Sequence, residues 1–245
     1  MKIFLTSSLG TNIKVAGKRF PCEMNNTNGI IDILKSLLTV QNKLVLISSN
    51  PVEYEINDDV CKIKRESFVM SGFNFKEVIM LDKRNANDTS KLIETADLIV
   101  LCGGHVPTQN KWFKEINLKQ NLRNYNRVLV GESAGSMNCA GIVYCCPELE
   151  GEAIDSKFNR WIEGLGLTDI NIFPHYNELE NVELDGFKYR DIILSDSLKK
   201  PIYTLNDGSF IEINGNKVIV YGACSKISNG EVTVVCENNS IENLK

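Results

Sequence analysis

The chain has 245 residues, 43% of them hydrophobic and 24% charged, with a formal net charge of −4 at pH 7. That length suits one large α/β domain spanning residues 1–245 in preference to two small ones, and the slight acidity argues against a nucleic-acid groove. No apolar run is long enough for a signal-peptide core or a membrane span, which predicts a cytoplasmic protein with no membrane partner.

In chain order, Lys2 to Ser7 is an apolar strand, and the segment from Ser8 to Asn26, rich in Gly, Asn and Lys, is expected as a loop that lines a site. Asn28 is placed to cap a helix whose Ile30, Ile31, Leu34, Leu37 and Leu38 fall on one face at helical spacing. Lys43 to Ser49 is a second strand. Asn57, Asp58 and Asp59 open a helix expected to stop near Gly72, and Lys76 to Leu81 is the third strand. Thr89 to Glu94 is a short helix. Asp97 to Cys102 is a fourth strand ending at Gly103-Gly104, and Pro107 to Leu122 sets Trp112, Phe113 and Ile116 on a helical face. Strands that are apolar throughout and alternate with helices predict a doubly wound, mostly parallel α/β sheet, with its ligand site at the carboxyl ends of the strands.

Arg127 to Asn138, RVLVGESAGSMN, carries the strongest chemical signal. A β-favouring run enters Gly131-Glu132-Ser133-Ala134-Gly135 and then loses strand alternation, which reads as strand, abrupt turn and helix, a G-x-S-x-G nucleophile elbow. The flanking glycines remove side chains that would collide with a strained serine backbone, and the helix that follows directs its positive end toward an oxyanion. The bland alternative is a strand-to-helix turn in which Ser133 is only the N-cap. Beyond Gly141, Ile170 to Phe173 is a strand leading to Pro174-His175, Gly186 to Ser197 a helix and Pro201 to Leu205 another strand. Turn signals at Asn206-Asp207-Gly208, Asn214-Gly215 and Asn229-Gly230 then predict antiparallel hairpins at one edge of the sheet.

A serine hydroxyl needs a base, and the chain has only two histidines. His175, at the mouth of the sheet, is preferred; His105, beside the double glycine, is the other candidate and is otherwise expected to contact substrate. The imidazole in turn needs an orienting carboxylate. Asp207, at the end of a strand expected to join the sheet of Ser133 and His175, is the first choice, and Glu178 or Glu180, near His175 in sequence, the fallback. The N–H groups of Gly104 and Ala134 are the expected oxyanion donors. The eight cysteines show no C-x-x-C and no zinc-site spacing, so they read as reduced, mostly buried thiols, and Cys102 is the rival nucleophile to watch. No metal or other cofactor is expected.

Gly103-Gly104 after a buried strand, the elbow at Ser133, Pro174-His175 and Asp207-Gly208-Ser209, in that order, resemble the motifs of the S51 serine peptidases. That family contains dipeptidase E and cyanophycinase and has a fold like the class I glutamine amidotransferases. The resemblance implies Ser133 as nucleophile, His175 as base and Asp207 as third member, with Arg190 meeting a substrate carboxylate. It departs from the family pattern at His105-Val106, where the dipeptidases typically read Asn-Thr, and at Asp207, where the family has glutamate. The implied activity is hydrolysis of a small peptide through an acyl-enzyme, with a homodimer left open. The alternatives are a related amidase or esterase, and a catalytically silent binding protein of amidotransferase-like fold.

Overall fold

A computed structural model describes residues 1–244. An eight-stranded sheet runs through it in the order Ile241–Asn243, Lys217–Tyr221, Phe210–Asn214, Lys2–Thr6, Val128–Glu132, Leu98–Leu101, Lys43–Ile47 and Glu77–Leu81. The strands from Lys2–Thr6 to Glu77–Leu81 are mutually parallel, and the remaining three add antiparallel at one edge. The continuous apolar runs have a simple cause: successive side chains point to opposite faces, and both faces are covered. Leu44, Leu46, Leu98, Val100 and Val130 enter one core with Ile31, Leu34 and Phe68. Val45, Ile47, Ile99, Leu101 and Leu129 enter the other with Ile93, Trp112 and Phe113. Each fully buried Leu or Ile contributes about 1.5–3 kcal/mol relative to its exposed state, so these two layers account for most of the sheet's cohesion.

Several expected boundaries move for local reasons. The helix expected from Asn57 begins at Tyr54 and runs to Met70. It ends in a Schellman closure: Gly72 takes φ 84°, its N–H reaches the Val69 carbonyl, and Phe73 N–H reaches Phe68 O at 2.9 Å, with the two phenyl rings 5.5 Å apart. Asn28 does not cap the helix Ile30–Leu37. Gly29, at φ 82°, holds that position, Asn26 Oδ1 accepts the Ile31 N–H, and the Asn28 amide instead donates to Gly208 O. The helix expected over 107–122 runs Val106–Glu115 and breaks at Asn117, which takes φ 49°. Residues 8–26 are not a bare loop, since Asn12–Val15 and Lys18–Pro21 pair as a hairpin.

The main departure concerns the second half. Ile172–Phe173 and Ile202–Leu205 do not enter the sheet that carries Ser133. They pair with each other in parallel and build a separate four-stranded sheet with Cys224–Ser228 and Glu231–Cys236. The turn Asn206–Ser209 therefore carries the chain from the small sheet to the large one instead of closing a hairpin. Asn214-Gly215 and Asn229-Gly230 do close hairpins, as expected. Among the described residues no helix is long and apolar enough to cross a membrane.

Candidate active site

The site is assembled from three chain turns meeting at strand ends. At the first, Ser133 has φ 50° and ψ −117°, a conformation costly for any residue with a Cβ and held here by its surroundings. The parallel register sets Thr6 beside Glu132, so Ser133 N–H donates to Thr6 O at 3.0 Å, while the Ser136 hydroxyl donates to the same carbonyl and accepts the Thr6 N–H, each at 2.9 Å. The glycines are required, though not for the reason the sequence suggests. A Cβ on Gly131 would lie 2.6 Å from Ser136 Cα, and one on Gly135 would lie 2.1 Å from the Leu101 carbonyl oxygen, so the crowding is against the following turn and the neighbouring strand. The helix after the elbow is a single turn, Ala134–Met137, so its dipole is small and oxyanion stabilisation falls to individual N–H groups. Ser133 makes no side-chain cap bond to this helix.

Pro174 ends the short strand Ile172–Phe173, and His175 turns left-handed at φ 56° before the one-turn helix Tyr176–Leu179. Its ring faces both remaining partners: Nε2 lies 3.2 Å from Ser133 Oγ, and Nδ1 lies 2.6 Å from Asp207 Oδ1. Asp207 stands in a tight turn closed by the Ser209 N–H on Asn206 O, and Gly208 supplies the φ of 85° that such a turn needs at its third residue. The Asp207 side chain is 33% exposed, because its turn joins the two sheets at the rim and is not at the end of a strand of the large sheet, where the sequence placed it. Burial pulls the His175 pKa down, but the bond to Asp207 and its charge outweigh this and leave it above the ordinary histidine value. Burial likewise raises Asp207, and the bonds from His175 and Ser7 overcome that and hold its carboxyl below the usual range.

The other expected residues separate into those brought to the site and those left out. Gly104 lines the cavity beside Ser133, and a Cβ there would lie 2.3 Å from Ser49 Oγ, so only glycine passes. Neither the Gly104 N–H nor that of Ala134 has a backbone acceptor among the described residues. Cys102 lines the same cavity, but burial pushes its thiol up to about 12, which keeps it protonated and poorly nucleophilic. His105 is engaged elsewhere, with Nδ1 2.8 Å from Thr108 Oγ1 and Nε2 3.0 Å from Glu152 Oε1, and it does not line the cavity. Arg190 is exposed on the helix Tyr189–Asp196, which starts three residues later than expected, and it does not line the cavity. Glu178 is exposed and makes no hydrogen bond to the ring, although its carboxylate, His175 and Asp207 approach within 4.8 Å of one another, close enough to share a metal ion. The His175 to Asp207 bond accounts for the closeness of those two groups.

Sequence reasoning missed two features. The first is a buried ion pair on the cavity wall: Lys64 Nζ, from the helix Tyr54–Met70, lies 2.5 Å from Glu132 Oε2, with the side chains 6% and 12% exposed. Glu132 Oε1 also accepts the Leu9 N–H. Burial pulls Lys64 down, but the Glu132 charge and hydrogen bond leave it above the ordinary lysine value, and so charged. The second is Arg19, on the hairpin Asn12–Pro21, which lines the mouth of this cavity of about 350 Å³. The only sequence signal for the first was an acid, Glu132, beside the elbow serine, which demands a counter-charge once buried; for the second there was none.

A mostly parallel sheet with helices on both faces, and a strained serine at a strand end facing a histidine, define an α/β hydrolytic enzyme of the serine type. The model of peptidase family S51 matches residues 23–221, and the chain belongs to that family of serine peptidases. Among solved structures, a peptidase from an acI-B1 Actinobacterium is 14% identical with a TM-score of 0.68, over 99% of this chain and 96% of that one. A putative peptidase E protein from Listeria monocytogenes EGD-e is 17% identical with a TM-score of 0.60, over 89% and 96%. At these identities the likeness is one of fold. No curated protein matches the sequence significantly.

Proposed function

We propose that the protein hydrolyses a small peptide through an acyl-enzyme, with Ser133 as nucleophile, His175 as general base and Asp207 as the carboxylate that orients it. The observation that carries this reading is the continuous line from Ser133 Oγ to His175 Nε2 at 3.2 Å and from Nδ1 to Asp207 Oδ1 at 2.6 Å, with the serine on a strained elbow. Neutral Nε2 takes the hydroxyl proton as Oγ bonds to the peptide carbonyl carbon. The C–N bond then breaks and the imidazolium gives that proton to the leaving amine. Water, deprotonated by the same nitrogen, repeats the sequence on the ester and releases the acid. Asp207 fixes the tautomer with the proton on Nδ1 and stabilises the cation. The N–H groups of Gly104 and Ala134 receive the oxyanion.

The carboxylate-binding role expected of Arg190 is better suited to Arg19. The charged side chains that line the cavity besides His175 are Arg19, Lys64 and Glu132, so the ionic surplus is positive and favours a substrate carrying a carboxylate. A library of dipeptides with free and amidated C-termini assayed by mass spectrometry tests the proposal: wild type should cleave the free acids in preference to their amides, and Ser133→Ala should lose on the order of 10⁶ in turnover. Retention of most activity by Ser133→Ala would remove the nucleophile, and cleavage of simple esters without any dipeptide would replace the peptide substrate.

A further inference from the structure

The end of the first strand carries a hydroxyl that the three-residue account leaves unused. Ser7 is fully buried, and its Oγ sits between acid and base: it donates to Asp207 Oδ1 at 2.7 Å and accepts the backbone N–H of His175 at 2.7 Å. Asp207 Oδ1 is the same oxygen that accepts from the His175 ring, so three hydrogen bonds close a loop through Ser7 Oγ, Asp207 Oδ1, the imidazole and the His175 backbone. Ser7 is itself fixed, since its N–H donates to Ser209 O at 3.3 Å, inside the turn that carries Asp207.

We propose that Ser7 is a positioning residue for the reaction, holding the Asp207 carboxylate and the left-handed His175 backbone in register with Ser133. The physical need is plain. Asp207 lies on a turn at the rim, His175 follows a two-residue strand, and both belong with a small sheet separate from the one bearing Ser133. Ser7 directly continues the strand Lys2–Thr6, which pairs with the elbow strand, so its hydroxyl is the tie between the nucleophile's sheet and the other two groups. Without it, the His175 N–H and one Asp207 lone pair lose their partner, and the imidazole is free to drift from the serine. An uncoupled positioning error of this kind costs about 10–100-fold in turnover.

The inference rests on the proposed roles of Ser133, His175 and Asp207, and the test separates the two. Wild type, Ser7→Ala and Ser7→Thr are compared by thermal melting, by the rate of labelling with a fluorophosphonate and by kcat and KM on a cleaved dipeptide. Ser7→Ala should fold, lose about 10–100-fold in kcat and in labelling rate, and keep KM within about twofold, whereas Ser7→Thr, which restores the hydroxyl, should recover most of the loss. If Ser7→Ala does not fold, Ser7→Cys, similar in size but a weak donor, should show the same split. An alanine or cysteine variant with kcat within about threefold of wild type overturns the role of Ser7, as does a change confined to KM, which would make Ser7 a substrate contact. Failure of the wild type itself to label would sink the nucleophile assignment instead.

Discussion

Replacing Lys64 with methionine isolates the buried charge next to Ser133. Methionine fills about the same volume, so the change removes the ammonium and little packing. At 2.5 Å and an effective dielectric near 20, the attraction between Lys64 and Glu132 is about 6–7 kcal/mol, but each ion has given up several kcal/mol of hydration, so the pair as a whole contributes little net stability. Its disruption is different: Glu132 keeps only the Leu9 N–H, and an uncompensated carboxylate with 12% side-chain exposure remains. The expected cost is about 3–5 kcal/mol, or roughly 6–20 °C in melting temperature for a chain of this size. Chemical denaturation of Lys64→Met, Glu132→Gln and the double variant measures it. The double variant should recover most of the loss, because it buries no unpaired charge. If instead the losses of the two single variants add in the double variant to within about 1 kcal/mol, the pair is not coupled and the cavity wall is wetter than the exposures of Lys64 and Glu132 imply.

Activity should rise with pH through the His175 pKa, which the Asp207 partnership holds above 6.5; Asp207→Asn should move that limb downward in a pH profile of kcat/KM while lowering turnover by about 10⁴. The same shifts give a stability window, read by melting across pH. The His175 contribution is complete below pH 6.5 and is lost as pH rises through its raised folded value, and the Asp207 contribution is complete above about 3.8 and is lost on acidification through its depressed one. Gly135→Ala should abolish folding or cost at least about 3 kcal/mol, because its Cβ would meet the Leu101 backbone, whereas Gly141→Ala, whose nearest neighbours lie at 3.9 Å, should stay within about 1 kcal/mol of wild type in the same denaturation assay. Cys102→Ala should keep turnover within a few-fold of wild type, a result that an assay of the variant on the same dipeptide checks; a loss comparable to that of Ser133→Ala would make the thiol a participant.

How much of this was legible in the sequence depends on the range of the forces involved. The parallel half was readable because Leu44 to Ile47 and Leu98 to Leu101 are apolar on both faces, a local signal with one structural solution. The elbow was readable because its five residues are contiguous, although the crowding its glycines relieve, against Ser136 and the neighbouring strand at Leu101, is not apparent from the motif. Strand pairing in the second half was not readable. Pro201 to Leu205 reads as a strand, but nothing in its residues says whether it joins the large sheet or pairs with Cys224–Ser228. The meeting of Lys64 with Glu132 spans 68 positions and that of Ser7 with Asp207 spans 200, so neither leaves a trace in spacing. Arg190 and Arg19 illustrate the same limit, because a charged residue on an exposed element reads alike whether it borders a cavity or open solvent.

The most direct test of the account is the site of covalent labelling. The protein is treated with a fluorophosphonate, digested and sequenced by tandem mass spectrometry, alongside Ser133→Ala and His175→Ala. One phosphonyl group should appear on Ser133 in the wild type, none on Ser133→Ala, and a strongly slowed adduct on His175→Ala. Equal labelling of Ser133→Ala, or an adduct on another serine in the wild type, would contradict the assignment of Ser133 as the nucleophile.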